Sequence, residues 1–169
     1  MALSGKDRAA ITLAGLSKAE TYWISPSAAR FVTSTFYRSD YPEWVTRFNE
    51  ERMPEIVADS VWAQIVPELH RLLARADSAD YESDGIHTTF PHLAWAETGP
   101  DASARNAWAL GAQPRADRAV QLLAQEAVNA LRLGQRGHVD YLGLSFSSTD
   151  YVGHAFGPLG DLVHRFVGL

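Results

Sequence analysis

The stretch that most constrains the fold is an amphipathic helix followed by an apolar strand near the carboxyl end of the chain. The segment "QPRADRAVQLLAQEAVNALRLG", residues 113–134, has Pro114 near its start, apolar residues on one face and Gly134 placed to end the helix. The next segment, "DYLGLSF", is nearly continuous in apolar residues, which is typical of a strand covered on both faces. This order is the unit of a parallel α/β sheet. We therefore predict an α/β fold with the following loop at the carboxyl edge of the sheet.

The rest of the chain gives weaker secondary-structure patterns. Aromatic and β-branched residues predict a short strand over residues 6–14 and a second extended piece over residues 30–37. Helical spacing of apolar residues predicts helix over residues 42–52 and again from about residue 55 to 76. Residues 77–113 are predicted to be loop.

Composition and charge exclude several classes of protein. The chain has 169 residues, of which 46% are hydrophobic and 21% charged, and this suits a globular domain with a core. A net charge of −5 argues against binding to a nucleic-acid polymer, which requires a basic surface. Without cysteine, any metal site must use Asp, Glu or His. No apolar run approaches the roughly 20 residues of a membrane span, and the first residues lack the apolar core of a signal peptide.

The loop "SSTDYVGHAFGP", residues 147–158, places Asp150 and His154 four positions apart. In one helical turn these two side chains project from the same side and can reach one cation, and an oxygen with a nitrogen ligand suits Zn²⁺. The alternative is an aspartate that opens a turn beside a histidine bonded to backbone, which requires no metal. We interpret the neighbouring Ser145, Ser147, Ser148 and Thr149 as residues that hydrogen-bond this loop, since no "GxSxG" motif supports a nucleophilic serine.

Lys6 and Arg8 form a second candidate group near the start of the chain. On an extended strand, residues two positions apart point to the same side, so these two would form an anion clamp. Arginine offers a planar fork and lysine a point charge to phosphoryl oxygens. The alternative is a pair of solvated basic residues.

Three segments carry a family resemblance: "GKDRAAI", "RFVTSTFYRSDYPEWVTRFNEER" and "SFSSTDYVGHAFGP". Together they resemble the type I phosphodiesterase/nucleotide pyrophosphatase branch of the alkaline phosphatase superfamily, especially its bacterial secreted alkaline phosphatases. The agreement is clearest at residues 6–8, 31–49 and 113–158. The resemblance implies a partial alkaline-phosphatase-like three-layer α/β/α fold with a largely parallel sheet. We expect one partial domain over residues 1–169, with a helical accessory region at about 40–112 and a metal-loop unit at about 113–158.

The resemblance also implies an activity and roles for four residues. The family hydrolyses phosphate esters with two zinc ions and a threonine nucleophile, so this chain is expected to act on a small phosphate ester. The Asp and His of the family motif bind one zinc, and that role falls on Asp150 and His154. The Lys and Arg of the family motif contact phosphoryl oxygens, and that role falls on Lys6 and Arg8. The secreted relatives imply a periplasmic or secreted protein.

Other parts that the resemblance implies have no place in this sequence. The family's early aspartate and nucleophilic threonine precede the lysine, and a further Asp-His pair and another histidine follow the "GHxFGP" segment. Here five residues precede Lys6 and eleven follow Pro158. We therefore expect an internal fragment that is inactive alone and requires the flanking parts of the same fold. The alternative is a non-catalytic α/β module that binds phosphate or a partner.

Overall fold

The computed structural model describes residues 1–58, 62–63, 88–92, 102–111 and 113–156. Its strands are β1 (Ala2–Ser4), β2 (Thr21–Ile24), β3 (Phe31–Val32) and β4 (Gly143–Ser145). Its helices are α1 (Asp7–Ala14), α2 (Glu43–Arg47), a π-helical segment (Phe48–Arg52), α3 (Met53–Ala58), α4 (Ala102–Gly111), α5 (Arg115–Ala130) and α6 (Ser148–Phe156). Within this part of the chain, no helix has the length and apolar character that a bilayer crossing requires.

The described strands form one sheet in the order β3-β2-β1-β4. Strand β1 pairs in parallel with both β2 and β4, whereas β2 and β3 are antiparallel. The predicted α/β fold with a largely parallel sheet is therefore confirmed. Because β1 and β4 are parallel neighbours, the segments that follow them meet at the same edge of the sheet. Gly5 and Lys6 follow β1 there, and Ser147 comes two residues after the end of β4.

Helices cover both faces of β1. Leu3 packs on one face with Leu123 and Ala127 of α5 in the main hydrophobic core. On the other face, α1 crosses β1, β2 and β4, and a Cβ added at Gly143 would lie 3.4 Å from Leu13 Cδ2. All three residues of β1 are buried. Helix, sheet and helix thus form the three layers that the family resemblance implies.

The segment from α2 to α3 closes the core over the sheet. Tyr22 meets Trp44 with ring centroids 5.9 Å apart, and Phe31 meets Phe48 at 5.8 Å, both in edge-on geometry. Asn49 fixes β3 because its side-chain amide both accepts from and donates to the backbone of Phe31, each at 2.8 Å. The aromatic residues of this segment therefore serve packing.

The predicted strand over residues 6–14 is wrong, because residues from Asp7 to Ala14 form helix α1. The alanines of "DRAAITLA" have high helix propensity, and the Asp7 carboxylate favours the positive end of the helix. Gly15 ends the helix with φ 58° and donates its N–H to the carbonyls of Ile11 and Thr12. These signals outweigh the β preference of the two β-branched residues.

Other predicted elements differ in extent. Helix α5 lies within the predicted segment but ends at Ala130, with Leu131 as its C-cap, and the positive φ angles of Arg132 (52°) and Gly134 (75°) follow after that end. The predicted helix from residue 55 is present to Ala58 in α3, and most of its remainder lies outside the described residues. Part of the predicted loop over residues 77–113 is instead helix α4. The "DYLGLSF" strand is shorter than predicted, and Leu144 and Phe146 are exposed. An apolar run alone does not show that both faces are covered.

Candidate functional site

Lys6 lies at the junction between β1 and α1. Its backbone is extended, with φ −122° and ψ 140°, and its N–H donates to Ser4 Oγ at 3.0 Å. Its ammonium group forms an ion pair with Asp150 Oδ2 and lies 4.1 Å from the centroid of the Tyr151 ring. Only 14% of the Lys6 side chain is exposed, against 56% for Asp150. The lysine is therefore held in place by a carboxylate and an aromatic face.

Asp150 and His154 lie one turn apart on α6. His154 Nε2 is 3.5 Å from Asp150 Oδ1, so the two oxygens of this carboxylate face different partners. The hydrogen bond from Lys6 and its positive charge hold the pKa of the Asp150 carboxyl below its ordinary value. With 80% of its side chain exposed, His154 is open to solvent. A carboxylate oxygen and an imidazole nitrogen thus lie close together on the same side of the helix.

Arg8 does not join this group as the sequence predicted. The clamp geometry assumed an extended strand, but Arg8 is the second residue of α1 and its side chain is exposed. Its backbone N–H donates to Asp7 Oδ1 at 2.7 Å. Among the described residues, no hydrogen bond or ion pair of its guanidinium is found, and its charge makes only a minor contribution to the lowered pKa of Asp150. The structure brings together Lys6, Asp150 and His154.

Asp117 in the first turn of α5 supports this arrangement, although no motif in the sequence marks it as a site residue. Its Oδ1 accepts hydrogen bonds from the N–H groups of Ser147, at 2.8 Å, and Ser148, at 3.1 Å. These are amide groups at the start of α6, where a carboxylate is favourable. Ser147 Oγ also lies 3.4 Å from Ser4 Oγ, which joins the ends of β4 and β1. Ser148 Oγ is buried without a partner in the described part of the chain, so Ser148 contributes its backbone only.

A cleft of about 430 Å³ opens beside Lys6 and His154. Its walls include Trp23 of β2, Trp108 of α4 and Tyr151 of α6. No local pattern in the sequence indicates this cleft, because its aromatic walls come from distant parts of the chain.

Asp150 and His154 are too few to complete a metal site. Their donor types suit Zn²⁺, and one turn of helix places both donors on the same side. A zinc site uses three or four protein ligands. The described residues contain no cluster of three or more His, Cys, Asp or Glu side chains able to hold a metal ion.

Comparison with known proteins finds relatives along nearly the whole chain, although no family model matches the sequence. Alkaline phosphatase PhoV of Synechococcus elongatus is 34% identical over 161 residues, covering 94% of this chain and 28% of the relative. Alkaline phosphatase PafA of Elizabethkingia meningoseptica is 28% identical over 156 residues, covering 92% of this chain and 28% of the relative. A protein of Myroides odoratus named calcium-transporting ATPase is 31% identical over 159 residues, covering 89% of this chain and 28% of the relative. The chain spans 28% of the length of each relative.

The crystal structure of wild-type PafA has the same fold, with a TM-score of 0.79 and 26% identity over 98% of this chain and 32% of PafA. A PafA variant with substituted threonine, asparagine, lysine and arginine gives a TM-score of 0.80 and 25% identity over the same shares. Its substituted lysine and arginine are two positions apart. The fold and these relatives together support the alkaline phosphatase superfamily as the one to which this segment is related.

Proposed function

We propose that this chain is part of a zinc-dependent phosphate-ester hydrolase of the alkaline phosphatase or phosphodiesterase type. The observation that carries the proposal is the contact of Lys6 with Asp150, beside His154, where two parallel strands end. This edge is where ligands of α/β sheets bind. The similarity to alkaline phosphatases also supports a phosphate-ester hydrolase. As part of this proposal, the family branch is the type I phosphodiesterase/nucleotide pyrophosphatase branch, and the complete protein is periplasmic or secreted.

In this proposal Lys6 and Arg8 bind the phosphoryl oxygens of a small phosphate ester. Lys6 is positioned by its surroundings, and binding requires its ammonium group to exchange the Asp150 carboxylate for a phosphoryl oxygen. Arg8 is exposed in the first turn of α1, two positions from Lys6. Their spacing equals that of the substituted lysine and arginine in the PafA variant, which supports the pairing. Both cations would stabilise negative charge that develops on phosphorus.

Asp150 and His154 are proposed as ligands of one of two zinc ions. When bound, the metal polarises a phosphoryl oxygen as a Lewis acid. An aspartate is ionised at neutral pH, and the hydrogen bond from Lys6 lowers the pKa of Asp150 further, while His154 lies on the same side of the helix. The remaining ligands and the threonine nucleophile are assigned to parts of the fold that flank this segment. The chain alone is therefore proposed to be inactive.

Calorimetric titration of the purified chain with zinc tests the metal assignment. We expect weak binding at one site, lost in Asp150→Ala and in His154→Ala, and no turnover of an aryl phosphate. His138→Ala is the matched control, because His138 Nε2 also lies 3.5 Å from an aspartate, Asp140, at the other end of the sheet. This variant should bind zinc as the unaltered chain does.

Two results would contradict the proposal. Equal loss of binding in His138→Ala would place the metal elsewhere, and tight binding of two zinc equivalents would show that the chain holds a complete site. Phosphate binding that depends on Lys6 and is independent of zinc, Asp150 and His154 would favour the alternative, a non-catalytic phosphate-binding module.

A further inference from the structure

We propose that the cleft beside Lys6 binds the alcohol part of the substrate and selects phosphate esters whose alcohol carries a neutral aromatic ring. This inference rests on the proposed function, because it takes Lys6 as the group that holds the phosphoryl end. The cavity volume of about 430 Å³ is within the range of small-molecule pockets. The cleft is therefore large enough for one aromatic group.

The walls of the cleft favour an aromatic ring. Trp23 and Trp108 face the cleft from β2 and α4, Tyr151 faces it from α6, and Pro26 and Ile24 complete the apolar lining. Indole and phenol rings interact with another ring in offset or edge-on arrangements beyond the gain from area alone. The Trp108 side chain is 51% exposed, so a bound ring would shield apolar surface that now contacts water.

The position of Lys6 connects this cleft to the phosphoryl group. Its ammonium lies 4.1 Å from the Tyr151 ring centroid, so a phosphoryl group held there is next to the aromatic wall. Among the described lining residues, Lys6 is the one lysine or arginine, and Asp7 adds a carboxylate. The Asp7 carboxylate would repel a second phosphate group, and the described lining has no second lysine or arginine to offset that repulsion. These charges favour a neutral ring over a polyphosphate in the cleft.

Calorimetric titrations of the full chain with phenyl phosphate and methyl phosphate test the inference. We expect phenyl phosphate to bind at least about tenfold more tightly, a difference of about 1.4 kcal/mol. Trp108→Ala should reduce this ratio to below about twofold and leave the methyl phosphate affinity unchanged. Phe36→Ala is the matched control, since Phe36 is an aromatic residue of similar exposure outside the cleft.

A second readout uses phenol, which needs no phosphate contact. Phenol should shift the indole Nε1–H resonances of Trp23 and Trp108, identified by their Phe variants, and leave that of Trp44 in place. Lys6→Met, which keeps an unbranched side chain beside the Tyr151 ring, should weaken both phosphate esters equally and leave the phenol shifts unchanged. If Lys6→Met leaves methyl phosphate binding intact, the proposed function fails while the phenol shifts still report on the cleft. Equal affinities for the two esters, a preference that survives Trp108→Ala, or unmoved indole signals would overturn the inference.

Discussion

Lys6 donates a hydrogen bond to Asp150 across the edge of the sheet, from the end of β1 to the first turn of α6. The same carboxylate has its other oxygen 3.5 Å from His154 Nε2. Asp150 therefore lies between a cation supplied by the chain and a nitrogen ligand. If Asp150 binds zinc, Lys6 and the metal compete for it, and a phosphate that engages Lys6 relieves this competition.

The first prediction is that Lys6→Met strengthens zinc binding while it weakens phosphate binding. Asp150 is exposed to solvent, so its ion pair with Lys6 is weak, and we expect zinc affinity to rise only about two- to fivefold. Calorimetric titrations with zinc and with inorganic phosphate, performed separately, measure both effects. Lys18→Met serves as the control, because Lys18 contacts the Phe36 ring outside the cleft. Weaker zinc binding in Lys6→Met would mean that Lys6 supports the metal site and does not compete with the metal.

The second prediction concerns Asp117 as a positioning residue. Asp117→Ala leaves the N–H groups of Ser147 and Ser148 without their acceptor. We expect the free energy of unfolding to fall by about 1–3 kcal/mol, with zinc binding weakened as well. Asp117→Asn keeps an oxygen at the same position and should restore most of both quantities.

Urea unfolding and zinc titration of both variants separate two roles. A stability loss with unchanged zinc affinity at a temperature where the chain is folded would show that Asp117 stabilises the fold without positioning Asp150.

The third prediction concerns pH and the Asp140 carboxylate at the opposite end of the sheet. The hydrogen bond from Arg136, followed by that from the Gly134 N–H, lowers the pKa of Asp140. A carboxylate with a lowered pKa in the folded state stabilises the fold above its unfolded value of about 3.9. That contribution is lost as pH falls through the lowered pKa.

Urea unfolding of Asp140→Asn at several pH values measures this contribution. The variant should be less stable than the unaltered chain at pH 7, and the two should converge as the medium becomes strongly acidic. A difference in stability that stays constant over this range would show that the charge of Asp140 has no role.

Local patterns in the sequence predicted the elements that depend on local interactions. Helix α5 can be identified because its apolar spacing and proline start lie within one segment, although it ends at Ala130, before the glycine that the sequence marks as its end. The closeness of Asp150 and His154 follows from their spacing on one helix. In contrast, Ile11 and Thr12 favoured a strand where the alanines and Gly15 produce a helix. The predicted strand would point the side chains of Lys6 and Arg8 to the same side, and helix α1 removes that alignment.

Contacts between distant segments were beyond the reach of local patterns. Asp117 reads in the sequence as an ordinary acidic residue at a helix start, and only the packing of α5 against α6 turns it into an acceptor for Ser147. Trp23 and Trp108 line one cleft although they belong to β2 and α4, which are far apart in the sequence. Their separation along the chain leaves no spacing to detect.

The most direct test of the central claim is the ¹⁵N resonance of His154 Nε2 during zinc titration. The account predicts that zinc shifts this resonance in the unaltered chain, that Asp150→Asn reduces the shift, and that the His138 resonances stay in place. Unchanged His154 resonances at saturating zinc, or an equal response of His138, would contradict a shared metal ion at Asp150 and His154.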